Sequence, residues 1–379
     1  MNITEQKKLG FGMMRLPLLD PNDSKSFDYD HIQQMVDEYM AAGFNYFDTA
    51  WMYHGGKSEG LVKRYLLGKY PRDSYTVTDK LPDYILKPDF GPKEVFETQL
   101  ERSGLDYFDI YLIHDTNAGS IGNFEKYHCF EFVEELLDKG LVKHIGLSHH
   151  DGPELLEEIL LRHPRIEFVQ LQINYLDWDS LGVRARECYE VAVKYGKKVL
   201  VMEPVKGGTL AQVPAEAEKI FRDAAPEMSV PSWAIRFAAS QPEVYMVLSG
   251  MSNLEQLRDN MSYMKDFKPL SEEELKVVWK ALDVINGNIA IDCTGCNYCT
   301  VDCPMNVAIP RLFSLYNADL QEVETKPWSA HEELYANLQL NEGVGVASDC
   351  IECGACEDRC PQHLPIREHL KTVAAHFEK

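Results

Sequence analysis

The sequence predicts an α/β fold: a (β/α)8 TIM barrel followed by a small, mainly helical second domain. Three observations lead there. Short apolar runs alternate with longer amphipathic stretches through the first 250 residues. The alternation counts to eight, with no Gly-x-Gly-x-x-Gly after an early strand to mark a doubly wound nucleotide-binding sheet. Eight of the ten cysteines fall in two short runs beyond residue 290, outside the alternation.

The strands are expected at 9–13 (LGFGM), 44–48 (FNYFD), 75–80 (YTVTDK), 108–114 (FDIYLIH), 143–148 (KHIGLS), 168–173 (FVQLQI), 198–203 (KVLVME) and 244–250 (VYMVLSG). Most are near-continuous apolar runs, the pattern of parallel strands covered on both faces. Between them, HIQQMVDEYMAAG (31–43) and FEFVEELLDKG (130–140) place apolar residues at three- and four-residue spacing and end in glycine, as helices do. An open doubly wound sheet gives the same alternation; the count of eight favours the barrel. The barrel is expected over 1–268. A linker at 266–272 (DFKPLSE) and a helix through EEELKVVWKALDVING lead into the second domain, 269–379.

Bulk properties narrow the partners. The formal charge of −22, from 38 basic and 60 acidic residues, argues against nucleic acid or an anionic membrane. The N-terminal stretch MNITEQKKLGFG lacks the apolar core of a secretory signal, and no apolar run is long enough to cross a bilayer. A cytoplasmic protein is expected. Cys129 and Cys188 stand alone in expected helices and read as buried, inert thiols.

In a (β/α)8 barrel the chemistry sits at the C-terminal ends of the strands. Asp48 ends the second strand, Lys80 the third and His114 the fourth, while Tyr53 follows the second. These four suit proton transfer to a carbonyl oxygen. A phenol is a weak acid, a neighbouring ammonium is expected to lower its pKa, and a carboxylate would hold the ammonium in place. Taken singly, each is more ordinary as a salt-bridge partner or core histidine; their order on successive strands favours one site.

FDTAWMY (47–53) with HGGKSEGLVKRYL after it, Lys80, IYLIHD around His114, IGLS (145–148), Gln172 with Tyr175, and SGMSNLEQLRDN (249–260) together resemble the aldo-keto reductase family over about residues 8 to 262. The resemblance implies an NADPH- or NADH-dependent oxidoreductase that reduces an aldehyde, ketone or quinone carbonyl by hydride transfer. Tyr53 would be the proton donor, supported by Asp48, Lys80 and His114. It also implies that Ser148 and Gln172 bind the nicotinamide carboxamide, with Met202 covering the ring where an aromatic is usual. Gln256 and Asn260 match positions that contact adenosine. Gly207, Gly208, Ser249 and Gly250 follow strands seven and eight, where barrels often bind phosphate, although turn chemistry alone accounts for glycines. His149 replaces the usual asparagine after Ser148. Arg258 is the nearest basic residue to Gly250, which leaves NADPH and NADH open. Trp51, Phe90 and Trp178 are candidate pocket residues.

IDCTGCNYCTVDCP (291–304) and CIECGACEDRCP (350–361) each read C-x2-C-x2-C-x3-C-P. Two full runs favour iron–sulfur clusters over structural zinc. In bacterial two-cluster ferredoxins the fourth cysteine of each run serves the other cluster. That rule groups Cys293, Cys296, Cys299 and Cys360 around one 4Fe–4S cluster, and Cys350, Cys353, Cys356 and Cys303 around the second. The 46 residues between Cys303 and Cys350 contain IPRLFSLYNADL and SAHEELYANLQL, both helical in pattern, so the module resembles a helical ferredoxin-like iron–sulfur domain. His331, His363, His369 and His376 are expected at the surface. The whole chain resembles the branch of aldo-keto reductases with a C-terminal ferredoxin-type domain, whose wording VMEPVKGG (201–208) and QINYLD (172–177) approach. Beside the small carbonyl substrate, two roles for the clusters stay open: holding a lid-like domain against the barrel mouth as a structural element, or delivering electrons from an external ferredoxin or flavoprotein. No flavin fingerprint is seen, so flavin is allowed without being indicated. The competing function is an iron–sulfur electron-transfer protein on a barrel whose reductase activity is minor or lost.

Overall fold

The computed structural model describes residues 7–20, 23–179, 183–287, 290–321, 332, 335, 336, 338 and 344–378. Eight parallel strands close into a barrel in chain order: β1 (Leu9–Gly12), β2 (Tyr46–Asp48), β3 (Thr76–Leu81), β4 (Phe108–Thr116), β5 (Val142–His149), β6 (Phe168–Gln172), β7 (Lys198–Met202) and β8 (Val244–Ser249), with β8 returning to β1. Tyr46, Ile110, Leu112, Phe168, Leu200 and Met246, from five of the strands, fill the interior as a packed plug. Among the described residues, no helix is long and apolar enough to cross a membrane.

The strand limits agree with the sequence reading to within one residue except at two ends, where they differ by two, each for a local reason. β2 begins at Tyr46 because Phe44 still belongs to the end of helix Tyr29–Ala41: its N–H donates to Tyr39 O (3.2 Å) and its ring stacks on Tyr39. β4 runs on to Thr116 because the ladder slips at Asp115, which takes a φ of 62°, and then resumes with Thr116 opposite His149. The helix expected at 130–140 spans Cys129–Asp138.

The chain divides into two compact units: Met1–Asp179, Arg184–Pro204 and Ala234–Ser271 in the first, Ser180–Val183, Val205–Trp233 and Glu272–Lys379 in the second. The expected boundary at 268/269 lies near the last of these divisions. The segment 205–233, which follows β7 in sequence, packs with the second unit.

Within the second unit, helix Ala215–Ala224 lies against helix Glu272–Asn286, and Phe221 stacks on Trp233 with ring centroids 5.1 Å apart. Helices Ile309–Gln321 and Ile366–Phe377 pack around Leu312, Phe313, Leu370 and Val373. IPRLFSLYNADL is thus helical; most of SAHEELYANLQL, with His331, lies outside the described residues. His363 is exposed. His369 sits edge-on to Phe313, and His376 bonds Asp319 (2.6 Å) against Tyr316, so both are half-buried.

Candidate active site and thiol cavities

The four candidate catalytic residues meet at one rim of the barrel. Lys80, on β3, lies 2.6 Å from Asp48 Oδ1 through its Nζ, donates to Thr49 O at 2.8 Å and stands 3.4 Å from Tyr53 Oη. Asp48 and Lys80 are both buried, at 3% and 1% exposure. His114 packs edge-on to Tyr53 with centroids 6.5 Å apart. The loop that carries Tyr53 is tied to the sheet: Thr49 N–H donates to Thr78 O, and Thr49 Oγ1 donates to Ser58 Oγ, which donates to Met13 O.

Electrostatics departs from the sequence reading at Tyr53. Burial, then the carboxylates of Asp48, Glu203 and Asp79, push the phenol well above its ordinary value, against the opposing charge of Arg15. The expected lowering by Lys80 does not prevail, because Asp48 neutralises the ammonium and the Lys80–Tyr53 contact is long. The phenol therefore keeps its proton, which is the state an acid needs. Burial, then Lys80 and His150, lower His114 well below the ordinary histidine value, so its ring is neutral. His114 Nδ1 is buried with no hydrogen-bond partner among the described residues, as is Asp48 Oδ2. Orphaned polar atoms in a buried rim are groups that a bound polar molecule can satisfy.

The candidate cofactor residues of the first unit occupy the other arc of the rim. Ser148, Gln172 and Met202 end consecutive strands, with Gln172 opposite Met202 in register. Ser148 Oγ accepts from Asp115 N–H (2.7 Å), leaving its own hydrogen to donate. Gln172 Nε2 donates to Asp177 Oδ2 (2.7 Å). At the end of β8, Asn260 Nδ2 donates to Ser249 Oγ (2.9 Å), and Tyr263 Oη donates to Asn260 Oδ1 (2.6 Å). Gln256 Oε1 accepts from Ser252 N–H (2.7 Å), which folds the loop over the N-cap Asn253. A Cβ on Gly250 would press within 3.0 Å of the Arg15 side chain. Arg258 pairs with both carboxylate oxygens of Glu38, at 2.6 and 2.7 Å.

Gly207 and Gly208 stand in the second unit. A Cβ on Gly207 would collide with the carbonyl oxygen of Thr294, and φ is +65° there, so close backbone approach by itself calls for glycine. Of the pocket candidates, Trp51 and Phe90 meet edge-on at 6.2 Å. Trp178 packs on Tyr189 and Phe237 instead.

Sequence reasoning missed Arg15, Glu203, Asp79 and Glu59. Arg15 and Glu203 approach to 3.9 Å and both act on the Tyr53 phenol. Each closely follows a strand's C-terminal end, the one signal that could have raised them. Asp79 precedes Lys80 and accepts from its backbone N–H at 2.8 Å. Burial and the Glu59 carboxylate push its carboxyl well up, while Glu59 itself is held by Arg102 at 2.9 Å. A second charged residue next to Lys80 within one expected strand was the available clue.

Within the second unit, the cysteines wall two cavities. Cys293, Cys296, Cys299 and Cys360 line one; Cys303, Cys350, Cys353 and Cys356 line the other, and Ile309 lines both. These are the two sets that the crossed ferredoxin rule groups. Among the described residues, no three His, Cys, Asp or Glu side chains form a site for one metal ion; each set of four thiols stands around a void instead. The two loops repeat one backbone pattern. Positive φ recurs at Gly295, Asn297 and Asn306 in the first run, and at Glu352, Gly354 and His363 in the second, at matching distances from the cysteines. A short helix follows each loop, Tyr298–Val301 and Ala355–Asp358. Backbone N–H groups of Gly295, Val307 and Glu352 donate to the sulfurs of Cys293, Cys303 and Cys350 at 3.3–3.4 Å. Thiolates accept such bonds, so the loops suit metal-bound sulfur.

A family model described as the aldo/keto reductase family matches residues 8–283, and one described as a 4Fe-4S dicluster domain matches 292–364. The chain is 25% identical over 273 residues to the uncharacterized oxidoreductase YqkF of Bacillus subtilis (strain 168), covering 64% of this chain and 85% of that protein. It is 24% identical over 268 residues to the NADH-specific methylglyoxal reductase of Escherichia coli (strain K12), covering 59% and 80%. Among solved structures, the thermostable aldo-keto reductase Tm1743 aligns with a TM-score of 0.59 at 23% identity, over 72% of this chain and 94% of that one; that likeness is one of fold. The closed eight-stranded barrel and the extent of the first match lead to one conclusion: this chain is a member of the aldo/keto reductase family, an oxidoreductase whose sequence continues past the barrel region into a 4Fe–4S domain.

Proposed function

We propose that the protein reduces an aldehyde, ketone or quinone carbonyl, with Tyr53 as the proton donor and NADPH or NADH as the hydride source. The observation that carries this reading is the Asp48–Lys80–Tyr53 contact chain at the barrel rim, with His114 beside it. A reduced nicotinamide, when bound, supplies a hydride to the carbonyl carbon. Tyr53 Oη gives its proton to the carbonyl oxygen, completing the alcohol. The Lys80 ammonium at 3.4 Å then stabilises the phenolate left behind, and the neutral His114 ring orients the oxygen by a hydrogen bond. Ser148 and Gln172 are the residues that would hold the carboxamide, with Met202 against the ring. Gly207, Gly208, Ser249, Gly250, Gln256 and Asn260 carry over as candidate contacts for the rest of the dinucleotide. The name of the Escherichia coli relative supports a nicotinamide and a small carbonyl substrate.

Two 4Fe–4S clusters fit the two thiol cavities, one held by Cys293, Cys296, Cys299 and Cys360 and the other by Cys303, Cys350, Cys353 and Cys356. Such clusters carry electrons singly. Exposure of Cys353 supports exchange with an external ferredoxin or flavoprotein. The test is anaerobic. Protein analysed for iron, sulfide and flavin is given NADH or NADPH with a panel of aldehydes and quinones, and loss of nicotinamide absorbance is followed. Turnover that vanishes in Tyr53→Phe supports the reading. Turnover that survives unchanged removes Tyr53 from its role, and none with any carbonyl leaves electron carriage as the function.

A further inference from the structure

Successive residues of a strand face opposite ways. On β3, Lys80 reaches the rim, and Asp79 faces Glu59 of helix Ser58–Tyr65 behind the barrel wall. Arg102, on helix Pro92–Ser103, lies 2.9 Å from Glu59 Oε2 through its Nη1. Asp79 and Glu59 are both 0% exposed. Asp79 Oδ1 accepts the backbone N–H of Lys80 at 2.8 Å. Asp79 Oδ2 and Glu59 Oε1 make no hydrogen bond among the described residues, and Gln99 is the remaining polar side chain acting on Glu59.

The charges of this layer do not balance if both acids ionise. Lys80 is matched by Asp48 at 2.6 Å, and Arg102 by Glu59. Among the described residues no third cation makes an ion pair with either acid. Two carboxylates sealed together beside one cation cannot both keep their charge, so their titrations are linked. Burial, then Glu59, push the Asp79 carboxyl well up; Lys80 opposes this and Asp48 adds to it. Burial also raises Glu59, against the pull of Arg102. Tyr111, facing both acids, and Tyr84, near Glu59, are raised as well and stay neutral.

We infer that Asp79 and Glu59 hold one proton between them, mainly on Asp79, and that this makes Asp79 a positioning residue for the reduction: as a neutral acid it anchors the Lys80 backbone without setting a second anion beside the ammonium. An ionised Asp79 acts on the Tyr53 phenol and disfavours the phenolate left after proton transfer; a neutral one does not. Arg102 fixes the pair's single negative charge on Glu59, the helix side. The positioning role rests on the reading of Tyr53 as proton donor, whereas the shared proton stands without it.

The experiment is infrared difference spectroscopy of the full-length protein across pH. A protonated carboxyl has a C=O stretch separate from the carboxylate bands, and that stretch shifts in D2O. The difference between wild type and Asp79→Asn at neutral pH is expected to show one such band. In Glu59→Gln the band should vanish at lower pH than in wild type, because the like-charged neighbour is gone. The charge then moves onto Asp79, and kcat should fall by up to about tenfold. Combining Asp79→Asn with Glu59→Gln should restore most of that loss, since no charge can then appear at position 79. Should Glu59→Gln fail to fold, Arg102→Gln is titrated instead, and loss of the pair's cation should carry the band to higher pH. No band in the difference, or a band whose pH of loss ignores both Glu59 and Arg102, overturns the shared proton. The expected titration with kcat unmoved in Glu59→Gln overturns the positioning role. Wild-type protein that reduces no carbonyl overturns the reductase reading and leaves the infrared result standing.

Discussion

Lys80 Nζ and Asp48 Oδ1 are 2.6 Å apart with both side chains sealed from solvent, so each charge depends on the other. Deleting one partner of a buried pair leaves an uncompensated charge and costs roughly 3–5 kcal/mol. Asp48→Ala is expected to lower unfolding stability by about that much in urea titrations. The double variant Asp48→Leu with Lys80→Met should regain most of it while remaining inactive, which separates the pair's structural contribution from its chemistry.

Tyr53→Phe keeps the ring against His114 and removes only the acid. A positioned general acid contributes roughly 10²–10⁴-fold, so kcat should fall within that range while nicotinamide affinity, read by fluorescence titration, stays near wild type. Because burial and nearby carboxylates raise the phenol, it stays protonated throughout the neutral range, and any alkaline loss of kcat from its ionisation should begin above about pH 10.

His149 is 3% exposed, and burial lowers its pKa from 6.5 to about 4. The folded-state value lies below the unfolded one, so between these pH values the unfolded chain binds a proton that the folded chain does not. Stability is complete above the unfolded value and declines as pH drops toward about 4, by up to ~1.4 kcal/mol per pH unit. His114, lowered by burial, Lys80 and His150, adds in the same direction. Urea unfolding at a series of pH values should show a shallower acid slope, by about one proton, in His149→Asn.

Arg258 is held by Glu38 on both oxygens at an exposed site. A guanidinium so engaged is poorly placed to take up a 2′-phosphate, and no other lysine or arginine lies between 249 and 257. Comparable or better use of NADH than of NADPH is therefore expected. Glu38→Gln should improve NADPH relative to NADH by about fivefold at most, the scale of an exposed ion pair, as measured by the ratio of kcat/KM values.

The barrel was legible because burial on both faces leaves strands such as IYLIH and KVLVM almost wholly apolar. Asp48, Lys80 and His114 stood out as polar residues where those runs stop. The two cysteine runs were legible from spacing, and the sets that line the two cavities are those the ferredoxin rule groups. Residues whose roles depend on convergence were hidden: Arg15 and Glu203 are far apart in sequence, and Asp79 lies outside the familiar set although its carboxyl acts on Tyr53. The sign of the Tyr53 shift was hidden as well, because it depends on how far Asp48 neutralises Lys80. So was the allegiance of 205–233, since EPVKGG reads as an ordinary connection after a strand while the collision at Gly207 involves a loop almost ninety residues further on.

That allegiance bears on how the enzyme can be dissected. Helix Ala215–Ala224 rests on Glu272–Asn286, so a gene shortened after Ser271 would strip its greasy face bare in the middle of what looks like a self-sufficient catalytic half. Such a fragment should precipitate rather than turn over substrate, and its failure would say nothing about whether electrons pass through the metal-bearing tail.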